Sequence, residues 1–369
     1  MRITLITRDF VKDLQAGGSF AGRSKVLPIL DCVKIRVNGN DGYIVSTDNE
    51  NAISSRFVVE ENGGDFTVCV NYKDVLGYVK LIKDDMFVME YVPDNNTVLL
   101  KHSKGSTEIP VFDATNFPQM RKESNEAIVD IDMALLVNWI IDGSKFVAND
   151  ELRPQMNGIY FYFGSSKVGF CASDGHSLCC DEVDLIDNND INTSFILNRN
   201  AFQAIMSSFD GEGGVNIHIG ERNTTFRNDR ITIMTRNTEG KYPNFKSVIP
   251  DGNNIEVKLD KKALLDAISR CKLSASASSL LKMSFGMMSL SIEANDIDFS
   301  KKAMENLDCQ SNGEITIGLN GEKLSKCVSS IDTDTVVLTM SKPSTPVLIL
   351  EDDPEAKKKI LLMPMMLND

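Results

Sequence analysis

The sequence predicts an α+β protein of three similar domains, each a doubled unit of one helix with antiparallel strands. Two periodicities carry that prediction. A short strand–turn–helix pattern recurs six times, and a longer period groups the six in pairs. Between the helices the chain is strand-rich, as in Gly42-Tyr-Ile-Val-Ser, Ile159-Tyr-Phe-Tyr-Phe and Thr335-Val-Val-Leu-Thr-Met.

The six copies read ITLITRDFVKDL from Ile3, TVCVNYKDVLGYV from Thr67, IVDIDMALLVNWI from Ile128, SFILNRNAFQAIM from Ser194, IEVKLDKKALLDAI from Ile255 and ITIGLNGEKLSKCV from Ile315. Each begins with apolar/polar alternation, the mark of a half-buried strand. An Asp, Asn or Arg then opens a helix, in several copies where a polar N-cap belongs, and apolar residues follow at helical spacing. The start points lie roughly 60–65 residues apart, within the range of stacked or radial repeats. Chance recurrence of one strand–helix pair is ordinary in an α+β protein; six at near-even spacing are a repeat.

The longer period matches Ser46-Thr-Asp-Asn-Glu with Ala172-Ser-Asp-Gly-His and Ala294-Asn-Asp-Ile. Asn116-Phe-Pro closes the first third as Lys241-Tyr-Pro-Asn-Phe closes the second. Polar joints follow both, Arg121-Lys-Glu-Ser-Asn-Glu and Pro250-Asp-Gly-Asn-Asn. The expected domains are therefore 1–124, 125–252 and 253–369.

A chain of 369 residues holds two or three separate cores. No apolar run reaches the roughly 18 residues of a membrane span, and Met1-Arg-Ile-Thr-Leu-Ile-Thr-Arg is too polar for a signal peptide. The expectation is a cytoplasmic protein. Its eight cysteines are scattered, with one adjacent pair, Cys179-Cys180, and read as buried free thiols.

The net charge of -13 opposes ordinary non-specific DNA binding, which needs a basic footprint. An acidic protein acting on DNA must confine its positive charge to one face or hold on by topology. The repeat offers topology. Helices are about 10 Å wide, so six abreast close on a bore of roughly 9 Å, whereas twelve give a bore of roughly 28 Å. A duplex about 20 Å across passes through the larger one. A head-to-tail homodimer closed by two-fold symmetry is the expected assembly. The candidate DNA-facing cations on the helices are Lys12, Lys73, Lys80, Lys83, Arg199, Lys261, Lys262, Arg270, Lys272, Lys323 and Lys326. Arg23 and Lys25 join them on the Gly-rich segment Gly17–Lys25. Singly, each is an ordinary solvated lysine or arginine; together they suit weak, sliding phosphate contact.

Catalytic readings find no support. Ser173-Asp-Gly-His176 holds hydrolase residue types, yet no G-x-S-x-G elbow surrounds a serine, and four contiguous residues do not make a triad. Three histidines without ligand spacing do not make a zinc site. Asp181–Asp190 lacks the pattern of a calcium loop, and Gly211-Glu-Gly-Gly214 lacks the following Lys of a phosphate loop. The expectation is a non-enzyme with no cofactor and no metal.

Four motifs in order, Val26-Leu-Pro-Ile-Leu30, Ala172-Ser-Asp-Gly-His-Ser-Leu178, Gly240-Lys-Tyr-Pro-Asn-Phe-Lys-Ser-Val-Ile-Pro250 and Leu361-Leu-Met-Pro-Met-Met-Leu367, give the whole chain a further property. It resembles the beta subunit of bacterial DNA polymerase III, the sliding-clamp family. The resemblance implies a DNA clamp fold, a ring-forming homodimer around double-stranded DNA without sequence preference, and a nucleoid-associated processivity factor for replication. It also implies a groove between the second and third domains for short peptides of DNA polymerase, the clamp loader and repair proteins. The positions matching its lining are Met156, Ser173, Gly175, His176, Ser177, Leu178, Pro243, Ser247, Val248, Val347, Leu362, Met363, Pro364, Met365 and Met366. Apolar and Met side chains make such a surface adaptable. The positions matching the dimer contact are Lys101, Lys104 and Ile109 on one side, and Leu273, Asp298 and Glu305 on the other. Two departures stand out: Ser177, Ser247 and Met366 stand where the family often has arginine, and Asn368-Asp369 extend the usual terminus. The competing reading is a non-catalytic repeat scaffold that binds proteins without encircling DNA.

Overall fold

The computed structural model describes residues 1–23, 27–119, 127–184, 191–209, 213–296 and 299–367. Each of the six repeats supplies one helix: α1 (Thr7–Gly17), α2 (Tyr72–Val79), α3 (Met133–Ser144), α4 (Phe202–Ser208), α5 (Lys261–Lys272) and α6 (Gly321–Ser329). Four open on the expected polar cap. The side chains of Asn71, Asp132, Asp260 and Asn320 accept from the backbone amides of Lys73, Leu135, Ala263 and Lys323, satisfying N–H groups that have no partner inside the helix. Two differ. Ile6 precedes α1, so the Thr7 amide and hydroxyl turn to the carbonyls of Asp85 and Asp84 instead. Asn198 caps a 3-10 turn, Arg199–Ala201, and this leaves α4 short.

Compactness divides the chain into two units, Met1–Asn138 with Leu197–Asn237, and Trp139–Ile196 with Thr238–Asp369. The middle third of the sequence contributes to both. The first unit holds a 13-stranded antiparallel sheet. It runs from Ala127–Asp132 through Gly214–Ile219, Asn223–Arg227 and Ile231–Arg236 into Asn51–Val58, Asp41–Thr47 and Cys32–Asn38. The joint pairs Ile233 with Ile53 and Met234 with Ala52. On one face Phe10 and Leu14 of α1 meet Ile44, Phe57 and Phe87, with Phe10 edge-on to Phe57 at 5.2 Å and to Phe87 at 5.5 Å. Their i,i+4 spacing is what lets one helix face reach that core.

The second unit has a nine-stranded and a four-stranded sheet. The larger orders Thr193–Asn198, Gly158–Phe163, Lys167–Ser173, Ser177–Asp184, Lys359–Leu362, Val347–Glu351, Thr335–Met340, Ile255–Asp260 and Gln310–Ser311. Its joint, Ser177–Asp184 against Lys359–Leu362, repeats the one in the first unit. Trp139 packs on Phe161 and Phe170 and donates to Asp181 at 2.9 Å. Lys358, only 8% exposed, meets Asp142 (3.2 Å), Asp332 (2.5 Å) and Glu351 (3.0 Å). Burial pulls its pKa down, but the three carboxylates outweigh that and hold it above the ordinary lysine range. All eight cysteines are buried and unpaired. No helix among the described residues is long and apolar enough to cross a membrane.

Candidate functional site

The turn from Ser173 to Leu178 organises the second unit's candidate peptide site. Gly175 sits at φ 85°, a conformation glycine adopts without penalty. Asp174 Oδ1 accepts from the amides of His176 (2.9 Å) and Ser177 (2.7 Å), and Ser173 Oγ donates to the Ser177 carbonyl. This side-chain-to-backbone turn needs no partner from elsewhere. Asp174 Oδ2 nevertheless accepts from Lys323 of α6 at 2.6 Å and from Lys326 at 3.4 Å. Lys326 also donates to Ser177 Oγ and lies over the Phe146 ring at 4.6 Å. Burial raises the Asp174 pKa, but Lys323, the two amides and Lys326 outweigh it, so the carboxyl titrates well below the usual range. His176 is exposed, donates its backbone amide to Asp174, and is placed as part of a turn.

Two rows cross the adjoining strands. Ser177, Leu362 and Val347 form one; Leu178, Leu361 and Leu348 form the other. Successive strand residues point to opposite faces. Leu178, Leu361 and Leu348 join Cys171, Cys180, Tyr242 and Phe245, flanked by Tyr160, Tyr162 and Ile249. Ser177 faces α6 through Lys326. Leu362 and Val347, both 0% exposed, share the Ser177 row and therefore the α6 face. On the Leu178 side the neighbouring residues are Leu361 and Leu348, one step along each strand from the sequence-matched Leu362 and Val347.

Above that floor Tyr242 stacks on Tyr160 at 4.9 Å, and the loop it begins leaves Pro243, Ser247 and Val248 exposed. Met156 is buried at the end of the Pro154–Met156 turn, and Arg153 of that stretch reaches Gly175. The C-terminal segment is docked. The Met363 amide donates to the His176 carbonyl and the Met365 amide to that of Gly318, each at 2.8 Å. A Cβ at Gly318 would sit 2.7 Å from the Met365 carbonyl oxygen, so only glycine admits the tail. Pro364 and Met365 are half-buried, whereas Met363 and Met366 stay exposed, Met366 at 89%. The sequence reading missed Arg153, Tyr160, Tyr162, Phe245, Leu348 and Leu361. Strand alternation carries the signal for the tyrosines, which share one face of Gly158–Phe163, with Tyr160 opposite Cys171.

The helix cations separate into two groups. Lys12, Lys73, Lys80, Lys83 and Lys262 are exposed on or just beyond α1, α2 and α5. Others are engaged. Arg270 makes a two-pronged pair with Glu305 (2.8 and 2.9 Å), and Lys272 pairs with Glu322 (2.7 Å). Lys261 donates to the Ile331 carbonyl, and Lys323 and Lys326 are held by Asp174. Arg199 is exposed at the 3-10 turn before α4. Arg23 stacks on Phe20 and donates to the Asn200 carbonyl; Lys25 lies outside the described residues.

Of the described residues matched to the dimer contact, Glu305 lies at a sheet margin. Glu305 is on Lys301–Asp308, the outer strand of the four-stranded sheet. Leu273 is 78% exposed at the end of α5, and Met304 is 56% exposed. In the first unit, Gly105–Phe112 pairs along one side with Thr97–His102 and on the other only through Val111 and Phe112. Lys101 is ion-paired with Glu90, and Lys104 is exposed at the hairpin turn. Ile109 differs from the expectation. It is 4% exposed and belongs to the first unit's core, because its strand parity turns it inward. Asp298 lies outside the described residues.

Comparison with known proteins covers the chain from end to end. Residues 1–121, 131–244 and 246–366 match the models of the N-terminal, central and C-terminal domains of the DNA polymerase III beta subunit. The beta sliding clamp of Pseudomonas putida is 23% identical over 370 residues, covering 100% of both chains. That of Helicobacter pylori is 21% identical over 387 residues, again with 100% coverage of both. Among solved structures, the Pseudomonas aeruginosa beta subunit superposes with a TM-score of 0.94 at 22% identity, and the Thermotoga maritima subunit with 0.90 at 19%; both alignments cover 100% of each chain. A Pseudomonas aeruginosa clamp bound to griselimycin has a TM-score of 0.95 at 22% identity, with the same coverage.

Proposed function

Because the chain belongs to the DNA polymerase III beta subunit family and is a DNA sliding clamp, we propose how its residues carry that function. Two copies close head to tail around duplex DNA, and the closed ring tethers a polymerase by topology instead of tight phosphate contact. The net charge of -13 supports this division of labour, since a strongly acidic chain repels DNA everywhere except at local cationic patches. Lys12, Lys73, Lys80, Lys83 and Lys262 supply those patches, with Arg23 and Arg199 beside them. The sixfold helix repeat and the three matched spans support domains near 1–124, 125–252 and 253–369. Closure joins the margin at Gly105–Phe112 to the partner's Lys301–Asp308, which removes two open sheet edges. Leu273 and Met304 supply apolar contact there.

The second unit receives short peptides of the polymerase, the clamp loader and repair proteins on the Leu178 side of its sheet. The observation that carries this reading is the row Leu178–Leu361–Leu348 beneath Tyr242, bordered by the exposed Val248, Met363 and Met366. Ser177 and Ser247 bring no cation, and the cations left at this face are Arg153 beside Gly175 and Lys246 over the Tyr162 ring. The griselimycin-bound relative supports a ligand site in this fold. The protein works without catalysis, in the cytoplasm on the nucleoid.

Retention on DNA tests the assembly. The chain is assembled on a nicked circular plasmid and passed through gel filtration in moderate salt. It co-elutes with the circle and is released when the plasmid is cut once. Equal retention on circle and linear DNA would point to ordinary electrostatic binding and contradict the ring.

A further inference from the structure

We propose that the first unit carries a second peptide-docking pocket, on the repeat-equivalent face of its own sheet, for a short extended peptide that combines carboxylates with apolar side chains. The pocket has a volume of about 450 Å³ and is lined by Lys34, Arg36, Tyr43, Val45, Phe117 and Met234, among others. Volumes of roughly 300–1,000 Å³ are those of sites that hold small ligands. It is independent of the peptide site on the Leu178 side of the second unit and stands whether or not that site binds peptides.

The equivalence holds strand by strand. Lys34 and Arg36 occupy the places of Tyr160 and Tyr162, on strands flanked alike by their hairpin partners. Val45 stands for Cys171, and the Ala52–Met234 pair stands for Leu178–Leu361. Phe117-Pro118 takes the position of Tyr242-Pro243. The turns that feed these strands share their form: Asn49 at φ 79° stands where Gly175 has 85°.

The chemistry differs from that of the second unit in two ways. Ala52 leaves room where Leu178 fills its floor, so a depression remains above Met234. Two cations border it where the other site has aromatic rings. Lys34 is half-buried with its ammonium 5.9 Å over the Phe117 ring, and Arg36 is exposed. Among the described residues neither Lys34 nor Arg36 has a carboxylate in ion-pair contact, whereas nearby Arg56 is already held by Asp41. Apolar floor and free cationic border together specify an acidic peptide with apolar anchors on alternate positions, lying as a strand would.

The test uses a fluorescein-labelled Glu-Leu-Glu-Ile-Glu peptide and the full chain, read by anisotropy, with Glu-Ser-Glu-Ser-Glu as control. The apolar peptide binds; the serine control does not. The double variant Lys34→Glu/Arg36→Glu weakens binding by roughly tenfold or more and instead takes Lys-Leu-Lys-Ile-Lys, which shows that the variant remains folded. Lys342→Glu, an exposed charge reversal in the second unit, leaves binding within about twofold. Equal binding of both acidic peptides would reduce the pocket to a plain anion patch and overturn the proposal. So would binding that survives the charge reversal, an equal loss with Lys342→Glu, or no binding at millimolar peptide.

Discussion

The turn Thr47–Ala52 in the first unit and the turn Ser173–Leu178 in the second are built alike and anchored differently. In both, an aspartate accepts two backbone amides, Asp48 from Glu50 and Asn51, and Asp174 from His176 and Ser177. In both, a hydroxyl bonds the carbonyl four residues on. The residue that supplies this carbonyl differs, Asn51 in one turn and Ser177 in the other. Asn51 closes on Asp48 with its own amide and accepts from Thr235 at 2.6 Å, so the first turn is held by neutral groups of its own sheet. Ser177 is too short for this, and Asp174 takes Lys323 and Lys326 of α6 instead. The clasp is neutral in one repeat and ionic in the other, where Ser177 stands for Asn51 and α6 supplies two lysines. The ionic form ties a candidate binding loop to a helix and makes it sensitive to acid and salt.

Removing the second unit's ionic anchors has the largest expected effect. Lys358→Met leaves Asp142, Asp332 and Glu351 without their shared buried cation, and costs about 3–5 kcal/mol in urea unfolding. The first unit's counterpart is the pair between buried Asp13 and Arg230 at 2.5 Å, whose arginine side chain is 66% exposed. Arg230→Met there costs less than about 1 kcal/mol. Equal losses would erase the distinction between the two units.

Next come the turns themselves. Asp174→Asn keeps an acceptor for the amides but loses both lysine pairs, and costs about 1–3 kcal/mol. Asp48→Asn costs about 1 kcal/mol or less, since its partners are neutral. Thermal melts of the two variants side by side give the difference, and a larger loss for Asp48→Asn would reverse the assignment.

Acid sharpens the contrast further. Asp174 and Asp332 are held below ordinary carboxylate values. Their stabilisation is complete above about pH 4, the unfolded value, and is lost as pH falls through their lower native values. Asp13 in the first unit goes the other way: burial raises it despite Arg230, so protonation relieves a cost. Asp181 beside Trp139 is also raised by burial and partly offsets the second unit's loss. Trp139 is the only tryptophan and lies in the second unit. Between pH 5 and 3 its fluorescence melt falls by more than the temperature at which hydrogen exchange opens Asn51–Val58. The reverse order would show that the ionic clasp is not the weaker one in acid.

The smallest effect is chemical. Burial pushes the Cys180 thiol up to about 12, Cys327 to about 12, Cys69 to about 12 and Cys32 to about 11. Thiolate is the reactive form. Native protein is therefore slow toward a thiol reagent at neutral pH in both units, and rapid titration of any of these four would expose a loosely packed region.

Much of this architecture was legible in the sequence because it depends on local chemistry. Asn71, Asp260 and Asn320 sit where strand alternation gives way to helical spacing, and each caps a helix. The longer period matches Ser46–Glu50 with Ala172–His176, and the structure builds the same turn at both. What escaped depends on contacts distant in the chain or on a single-residue step. Nothing near Asp174 signals Lys323, which arrives from another repeat, and Arg270 reads as a free helical cation until Glu305 is brought beside it. Leu361 and Leu362 are alike in composition; only pairing with Leu178 and Ser177 separates the two faces. The pocket at Lys34 and Arg36 was hidden for another reason: a lysine and an arginine on an alternating strand read as its solvent side, and only the fold places Met234 beside them.

Molar mass in solution separates ring from scaffold, because closure requires two copies and no other partner. Light scattering across a dilution series is expected to give a stable mass near twice 40.8 kDa. A mass that stays at one chain at micromolar concentration would contradict the closed ring and leave the sixfold repeat as a feature of a scaffold.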